Sequence, residues 1–255
     1  MIIRETDQTF ILIEQHEHAR MSAEFMRYLK PHYFINETYT DSVLFAIEQH
    51  DCGWKLFDRQ PFWNDKKQAP YSFIDFPLLP KLVLYEQGID QVERKDPYAA
   101  LLCSEHYTRF VKKHDVDEVK QYVKTEHVRF KRIVDRLPNF NKDLFTMHYS
   151  LLQFADNLSL FICLSEPGAT QEHIHPFFRS GIPTPSAFQD LSEKHIQVEW
   201  QNNHTIVLRK FPFTQPIQVT LSYKVVLKSD IAMNGLIETY VKTPNKTLDI
   251  NIQSI

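Results

Sequence analysis

Three histidines and one aspartate of this chain stand where an apolar helix face is expected, a second aspartate directly follows one of the histidines, and those side chains are metal-ligating types. His18 lies in the run from Gln15 to Leu29, in which His18, Met21, Ser22, Phe25 and Leu29 share one face at i, i+3, i+4, i+7 and i+11. His50 follows Ala46 and Ile47 on the apolar face of the next helix, and Asp51 comes directly after it. Asp156 is in register with Tyr149, Leu152, Leu160 and Cys163 on the most apolar helix of the chain. A lone carboxylate on a buried face is costly without a partner. One divalent transition ion (Mn, Fe, Co or Zn) would satisfy His18, His50, Asp51 and Asp156 together, because imidazole and carboxylate are its usual ligands. Each residue also has a plainer use. His18 suits a hydrogen-bonded core position, His50 a helix C-terminus, and Asp156 a buried Tyr or Arg partner.

Further candidates surround these four. His106 shares a face with Tyr98, Ala99, Leu102 and Phe110 and therefore points inward, as a fifth ligand or as a core residue. Arg109 lies one turn further on the same side, able to hold a phosphate oxygen or to stand free on the surface. Trp54 and Lys55 follow the His50-Asp51 doublet and are expected at the wall of a substrate pocket, with Phe211-Pro212-Phe213 closing it from the C-terminal region. His16 competes with His18, but two helical residues are ~200° apart and the apolar stripe selects His18. His127, among Lys124, Arg129 and Lys131, is a surface residue. His148 falls on a helix, and His173 and His175 fall in a connector and are expected as loop histidines.

These residues need elements to hold them. Two short strands are expected around Asp7-Gln8, then helices over 15–29 and 40–50, the second capped by Thr40 or Asp41. Residues 55–77, rich in proline, Asp/Asn and aromatics, are expected as a long ordered loop. Helices follow over 78–92, from an Asp96-Pro97 cap through Phe110, over 117–137, and over 141–164. From Ile196 the period becomes 2, with an Asn202-Asn203 turn and β-type runs at 217–221, 223–227, 236–241 and 248–252. The expected class is α+β: a helical body over 1–166, a connector over 167–195 and a β-rich extension over 196–255. That extension lacks a core of its own and must pack on the body, where the N-terminal strands can join its sheet.

Composition excludes several classes. Five glycines in 255 residues, none closer than thirteen positions to another, leave no room for a Rossmann fingerprint, a Walker A loop or a nucleophile elbow. A net charge of −3 carries no basic footprint, so nucleic acid is not an expected partner. Cys52, Cys103 and Cys163 form neither a C-x-x-C nor an even set. No apolar stretch is long and uninterrupted enough for a membrane span. The N-terminal residues lack the layout of a signal peptide, so a cytoplasmic location is expected.

The order His18 … His50-Asp51 … Asp156 resembles the HD superfamily of metal-dependent phosphohydrolases. The local contexts His18-Ala19-Arg20-Met21-Ser22, Ile47-Glu48-Gln49-His50-Asp51 and Ala155-Asp156-Asn157-Leu158-Ser159 carry the likeness. More narrowly, His50-Asp51-Cys52-Gly53-Trp54 and Ser104-Glu105-His106 resemble an uncharacterised bacterial family with H-D-x-G-W and S-x-H patterns. The resemblance implies an HD-like helical body and hydrolysis of a small phosphate ester or nucleotide. It implies that His18, His50 and Asp156 ligate the metal, that Asp51 ligates or bridges it, and that His106 is available for a second ion. Asp51, His106 and Arg109 are then the residues at the chemistry. HD-type scaffolds with two irons also support oxygenase chemistry, and a non-catalytic metal-binding module is the third reading.

Overall fold

Alternating apolar residues at the N-terminus form a hairpin of β1 (Ile2–Glu5) and β2 (Thr9–Ile13), antiparallel with Ile2 opposite Ile13 and Glu5 opposite Phe10. The computed structural model describes residues 1–35 and 37–255. Helices α1 (Gln15–Met26) and α2 (Thr40–Gln49) follow, then α3 (Lys55–Asp58) and a small hairpin of β3 (Trp63–Asn64) and β4 (Ala69–Pro70). Residues 55–77 therefore contain regular structure where a loop was expected, in pieces too short to leave a periodic signal. The middle of the chain is helical: α4 (Leu78–Glu93), α5 (Pro97–Val111), α6 (Asp117–Val134) and α7 (Lys142–Leu164). Asp96 caps α5 by accepting the Ala99 N–H at 2.9 Å, and Asn141 caps α7 through the Leu144 N–H at 3.0 Å. The expected Thr40 or Asp41 cap is absent. Tyr39 occupies that position without a side-chain bond, so α2 starts from a preceding 3₁₀ turn.

After α7 come β5 (Ile182–Pro183), β6 (His195–Ile196), β7 (Val198–Asn202), β8 (Thr205–Leu208), β9 (Ile217–Leu227), α8 (Lys228–Asn234), α9 (Leu236–Lys242) and β10 (Lys246–Ser254). Strands from both ends of the chain form one six-stranded mixed sheet in the order β1-β2-β9-β10-β8-β7, with only the β10–β8 pair parallel. The runs 217–221 and 223–227 are a single strand. Its first half pairs with β10 and its second half with β2, which joins the N-terminal hairpin to the C-terminal strands.

One expectation is overturned: 236–241 is helix α9, not a strand. Leu236, Thr239 and Tyr240 are buried while Ile237 and Val241 are exposed, a 3–4 spacing that outweighs the β-branched content. Gly235, at φ +79°, separates α9 from α8.

One face of the sheet shares the core of the helices, and the other forms a second, smaller cluster with α8 and α9. Ile217, Val219, Leu221, Ile206, Leu208, Ile250 and Ile252 join the same buried cluster as the helices. Trp200 of β7 stacks on Phe161 of α7, and Phe213 lies against Phe25 of α1 and Phe154 of α7. The opposite face is covered by α8 and α9 over Met1, Phe10, Leu12 and Val226. Among the described residues no helix is long and apolar enough to cross a membrane.

The chain reverses sharply after α2, through a 3₁₀ turn at Cys52–Trp54. A Cβ on Gly53 would lie 2.3 Å from the Leu84 carbonyl oxygen, and one on Gly88 3.0 Å from the Gly53 backbone, so α4 packs directly on this turn. Gly53→Ala is accordingly expected to lower stability by ~1–3 kcal/mol, through a backbone clash that no rotamer relieves. Urea unfolding of the variant against wild type checks this.

Candidate metal centre

Each ligand-type side chain comes from a different element. Helix α1 supplies His18, the end of α2 His50, the following turn Asp51, α5 His106 and α7 Asp156. All five are buried. His50 stands between the other rings, 5.0 Å centroid to centroid from both His18 and His106 and edge-on to each. Two sets with ligand atoms within 4.8 Å of one another result, His18/His50/Asp51 and His50/His106/Asp156, and His50 belongs to both.

The nitrogens differ in what they already hold. His50 Nδ1 donates to the Ile47 carbonyl at 2.7 Å, which aims Nε2 inward. That Nε2 is buried with no hydrogen-bond partner, 3.4 Å from Asp156 Oδ1 and 3.9 Å from Asp51 Oδ2. His18 Nε2 lies 2.9 Å from Asp51 Oδ2, and its Nδ1 lies 2.8 Å from Ser159 Oγ. Ser159 also donates to the Asp156 carbonyl and so ties the His18 ring to α7, while His18 Nε2–H donates to the Asp51 carboxylate, which can only accept. Ser22 donates to the same serine at 2.7 Å, and Gln15 Nε2 donates to Asp51 Oδ2 at 2.8 Å. Ser104, two residues before His106, donates to Glu126 at 2.6 Å and ties α5 to α6.

Electrostatics follow from burial set against pairing. Burial alone would depress His50, but the Asp156 carboxylate and the Asp51 charge outweigh it and raise the imidazole to about 9. Burial would raise Asp156, yet His50 and the charge of His106 hold it at about 2; Asp51 is lowered in the same way, chiefly through His18. His106 goes the other way, to about 4, because burial dominates. In the metal-free protein a proton on His50 thus occupies the space between two carboxylates. That is the donor set and charge balance a divalent cation would replace.

The surroundings are less enclosed. Half-exposed Phe110 lies edge-on over His106 at 4.8 Å. Half-buried Lys55 bonds Gln49 at 3.4 Å. Its charge acts on His16, whose imidazole is lowered to about 4 by burial first, then by Lys55 and His50. His16 therefore does not turn fully away: its Nδ1 is buried without a partner beside the site. Arg109 is exposed and lies outside the ligand cluster. Trp54 is buried edge-on to Phe76 and Tyr85, where it seats α4 against the doublet turn. Phe211-Pro212-Phe213 serves as the anchor of the sheet on α1 and α7 rather than as a pocket wall, because Phe213 is drawn into the aromatic core with Phe25, Phe154 and Phe211.

The other histidines considered in the sequence lie away from the ligand cluster. His148 is a core residue between the Tyr98 hydroxyl and the Phe34 carbonyl, His127 is exposed, and His173 and His175 bond within their loop. Residue reading missed Gln15, Ser22 and Ser159 as orienting groups. Their signal was present, since Gln15 and Ser22 stand three before and four after His18, and Ser159 stands three after Asp156.

The sequence pattern of the family described as "Protein of unknown function (DUF3891)" matches residues 1–228. This chain belongs to the DUF3891 family. The match contains all five ligand-type residues and ends at the start of α8, so β10, the strand between β9 and β8, lies outside it. No curated protein and no solved structure matches this DUF3891 chain.

The His50–Asp156 pair has a pH signature in the chelator-treated protein. A raised imidazole contributes stability that is fully present below the unfolded value of ~6.5 and is lost as pH rises through about 9. Stability is expected to fall by on the order of 2–3 kcal/mol between pH 6.5 and 9. In Asp156→Asn the part of that fall due to this pair should vanish. Denaturant titrations of both proteins across the range, after EDTA and desalting, measure it.

Proposed function

We propose that this DUF3891 protein is a metal-dependent hydrolase of a phosphate ester or nucleotide, with an HD-like site in which His18, His50, Asp51 and Asp156 hold the ion. The observation that carries the reading is the buried Nε2 of His50, which makes no hydrogen bond and lies 3.4 Å from Asp156 Oδ1 and 3.9 Å from Asp51 Oδ2, the latter oriented by Gln15. A cation there would satisfy His50 Nε2 and both carboxylates together. Such an ion, when bound, supplies a water acidic enough to act as nucleophile at neutral pH and offsets charge on phosphoryl oxygens.

The chain's own residues have separable tasks. Gln15 fixes the Asp51 oxygen and Ser159 fixes the His18 ring, which keeps both in a ligating geometry. His106 stays neutral above about pH 4, so its imidazole is free to ligate or to take a proton. Lys55 and Arg109 provide positive charge outside the ligand set and favour an anionic substrate over a neutral one.

A second reading, a binuclear iron oxygenase, is favoured by the second triad of His50, His106 and Asp156. Oxygen consumption with a polyol and a visible-range iron signature would select it.

The expected outcome is a transition metal in protein purified without chelator, with severe loss in Asp51→Ala and Asp156→Ala. Phosphoester turnover should depend on Mn²⁺, Fe²⁺ or Co²⁺ and stop with EDTA. Equal, near-zero metal in all three proteins after reconstitution, by elemental analysis, would sink the proposal.

His106→Ala separates the one-ion and two-ion forms. Stoichiometry falling from about two to about one identifies a ligand to a second ion. Unchanged stoichiometry with a ~10–100-fold loss of affinity or rate identifies an orienting residue.

A further inference from the structure

Helix α9 carries two branched apolar residues for which a single copy of the chain has no use. Leu236 and Tyr240 are buried in the cluster with Phe10 and Val226, while Ile237 and Val241, one turn apart, are 54% and 65% exposed. Branched side chains lose rotamer freedom in a helix, so on its solvent side they gain neither burial nor propensity. Glu238 and Lys242 repeat the one-turn spacing on the neighbouring strip and form an exposed ion pair at 2.5 Å. A groove of about 720 Å³ runs along this side of the helix. Ile237, Glu238, Val241 and Lys242 line one wall, and Pro61 with half-exposed Phe62 lines the other. Exposed apolar surface rimmed by polar residues marks a contact site.

We propose that the occupant is a second copy of this chain, with the two α9 helices antiparallel about a two-fold axis. Two-fold pairing sets one surface patch against itself, so the patch must be complementary to its own image. The α9 patch meets that condition. Reversal about positions 239–240 brings Ile237 opposite Val241 of the partner subunit and Glu238 opposite Lys242 of the partner subunit. Both pairs then align to within about one residue, ~1.5 Å along the helix. A two-fold axis perpendicular to the helices keeps the two charged strips on the same side, where each acid meets a base. A parallel pairing would carry the strips to opposite sides, where they form no pair. Charge therefore selects both the partner and its direction, while burial of Ile237 and Val241 beside Phe62 supplies the apolar contact. A helix of 7 residues spans only ~10 Å, so the association is a reversible one.

The test is sedimentation equilibrium of the full chain over a concentration series of roughly 1–200 µM. Wild type should pass from monomer to dimer within it. Ile237→Lys and Val241→Lys should each stay monomeric throughout. Glu238→Lys and Lys242→Glu set like charges opposite each other and should each weaken association about 10-fold or more. The double variant Glu238→Lys/Lys242→Glu restores opposite charges and should associate within about threefold of wild type. All variants should keep the melting temperature and manganese content of wild type, because these side chains are exposed and none is a ligand-type residue of the buried cluster.

A wild type that remains monomeric at the highest concentration overturns the proposal, including the case in which its groove takes up an apolar dye instead. A dimer that survives both Ile237→Lys and Val241→Lys also overturns it, because the contact then lies elsewhere on the surface. A double variant as weak as the single charge variants overturns the antiparallel pairing.

Discussion

The buried imidazole of His50 between two carboxylates is the interaction on which the rest of the structure depends. Removing one charge from water costs several kcal/mol even after relaxation, and here three ionisable groups share a dry volume. Two of them, His50 and Asp51, are held from behind, and so is the neighbouring His18. Ile47 accepts the His50 Nδ1–H, Gln15 donates to Asp51, and Ser159 holds His18 while bonding to the backbone of the helix that carries Asp156. Loss of any one support leaves a charge with fewer partners in a medium that does not solvate it.

Such a cluster demands accurate placement of α1, α2, α5 and α7, and the fold supplies it from two directions. Between helices, the Ser22 hydroxyl lies within hydrogen-bond distance of the His18 and Ala155 carbonyls and of Ser159 Oγ and shares its one proton among them, which links α1 to α7. From outside, the sheet built by the two ends of the chain presses on the same two helices through Phe213 and Trp200. The C-terminal strands thus reinforce the helices that carry His18 and Asp156 without contributing a ligand. The glycine contact at Gly53 does the same for the doublet, letting α4 approach until Trp54 and Tyr85 lock the turn.

Polarity changes across a short distance. Inside, carboxylates and imidazoles balance one another; around them, the Nδ1 of His16 is buried without a partner and Lys55 bonds Gln49. Dry, self-compensated groups hold geometry.

Local pattern was sufficient for much of this. The apolar stripe selected His18 over His16, the face shared with Tyr98 and Leu102 turned His106 inward, and the registers of Ala46 and Leu152 brought in His50 and Asp156, because a helical period of 3.6 maps directly onto an inward direction. The α+β class and the period-2 C-terminal region were legible for the same reason. What the sequence could not decide were quantities that depend on neighbours distant along the chain. The strand order, the bridging role of β9 and the helix at 236–242 follow from which surfaces remain to be covered, not from local preference.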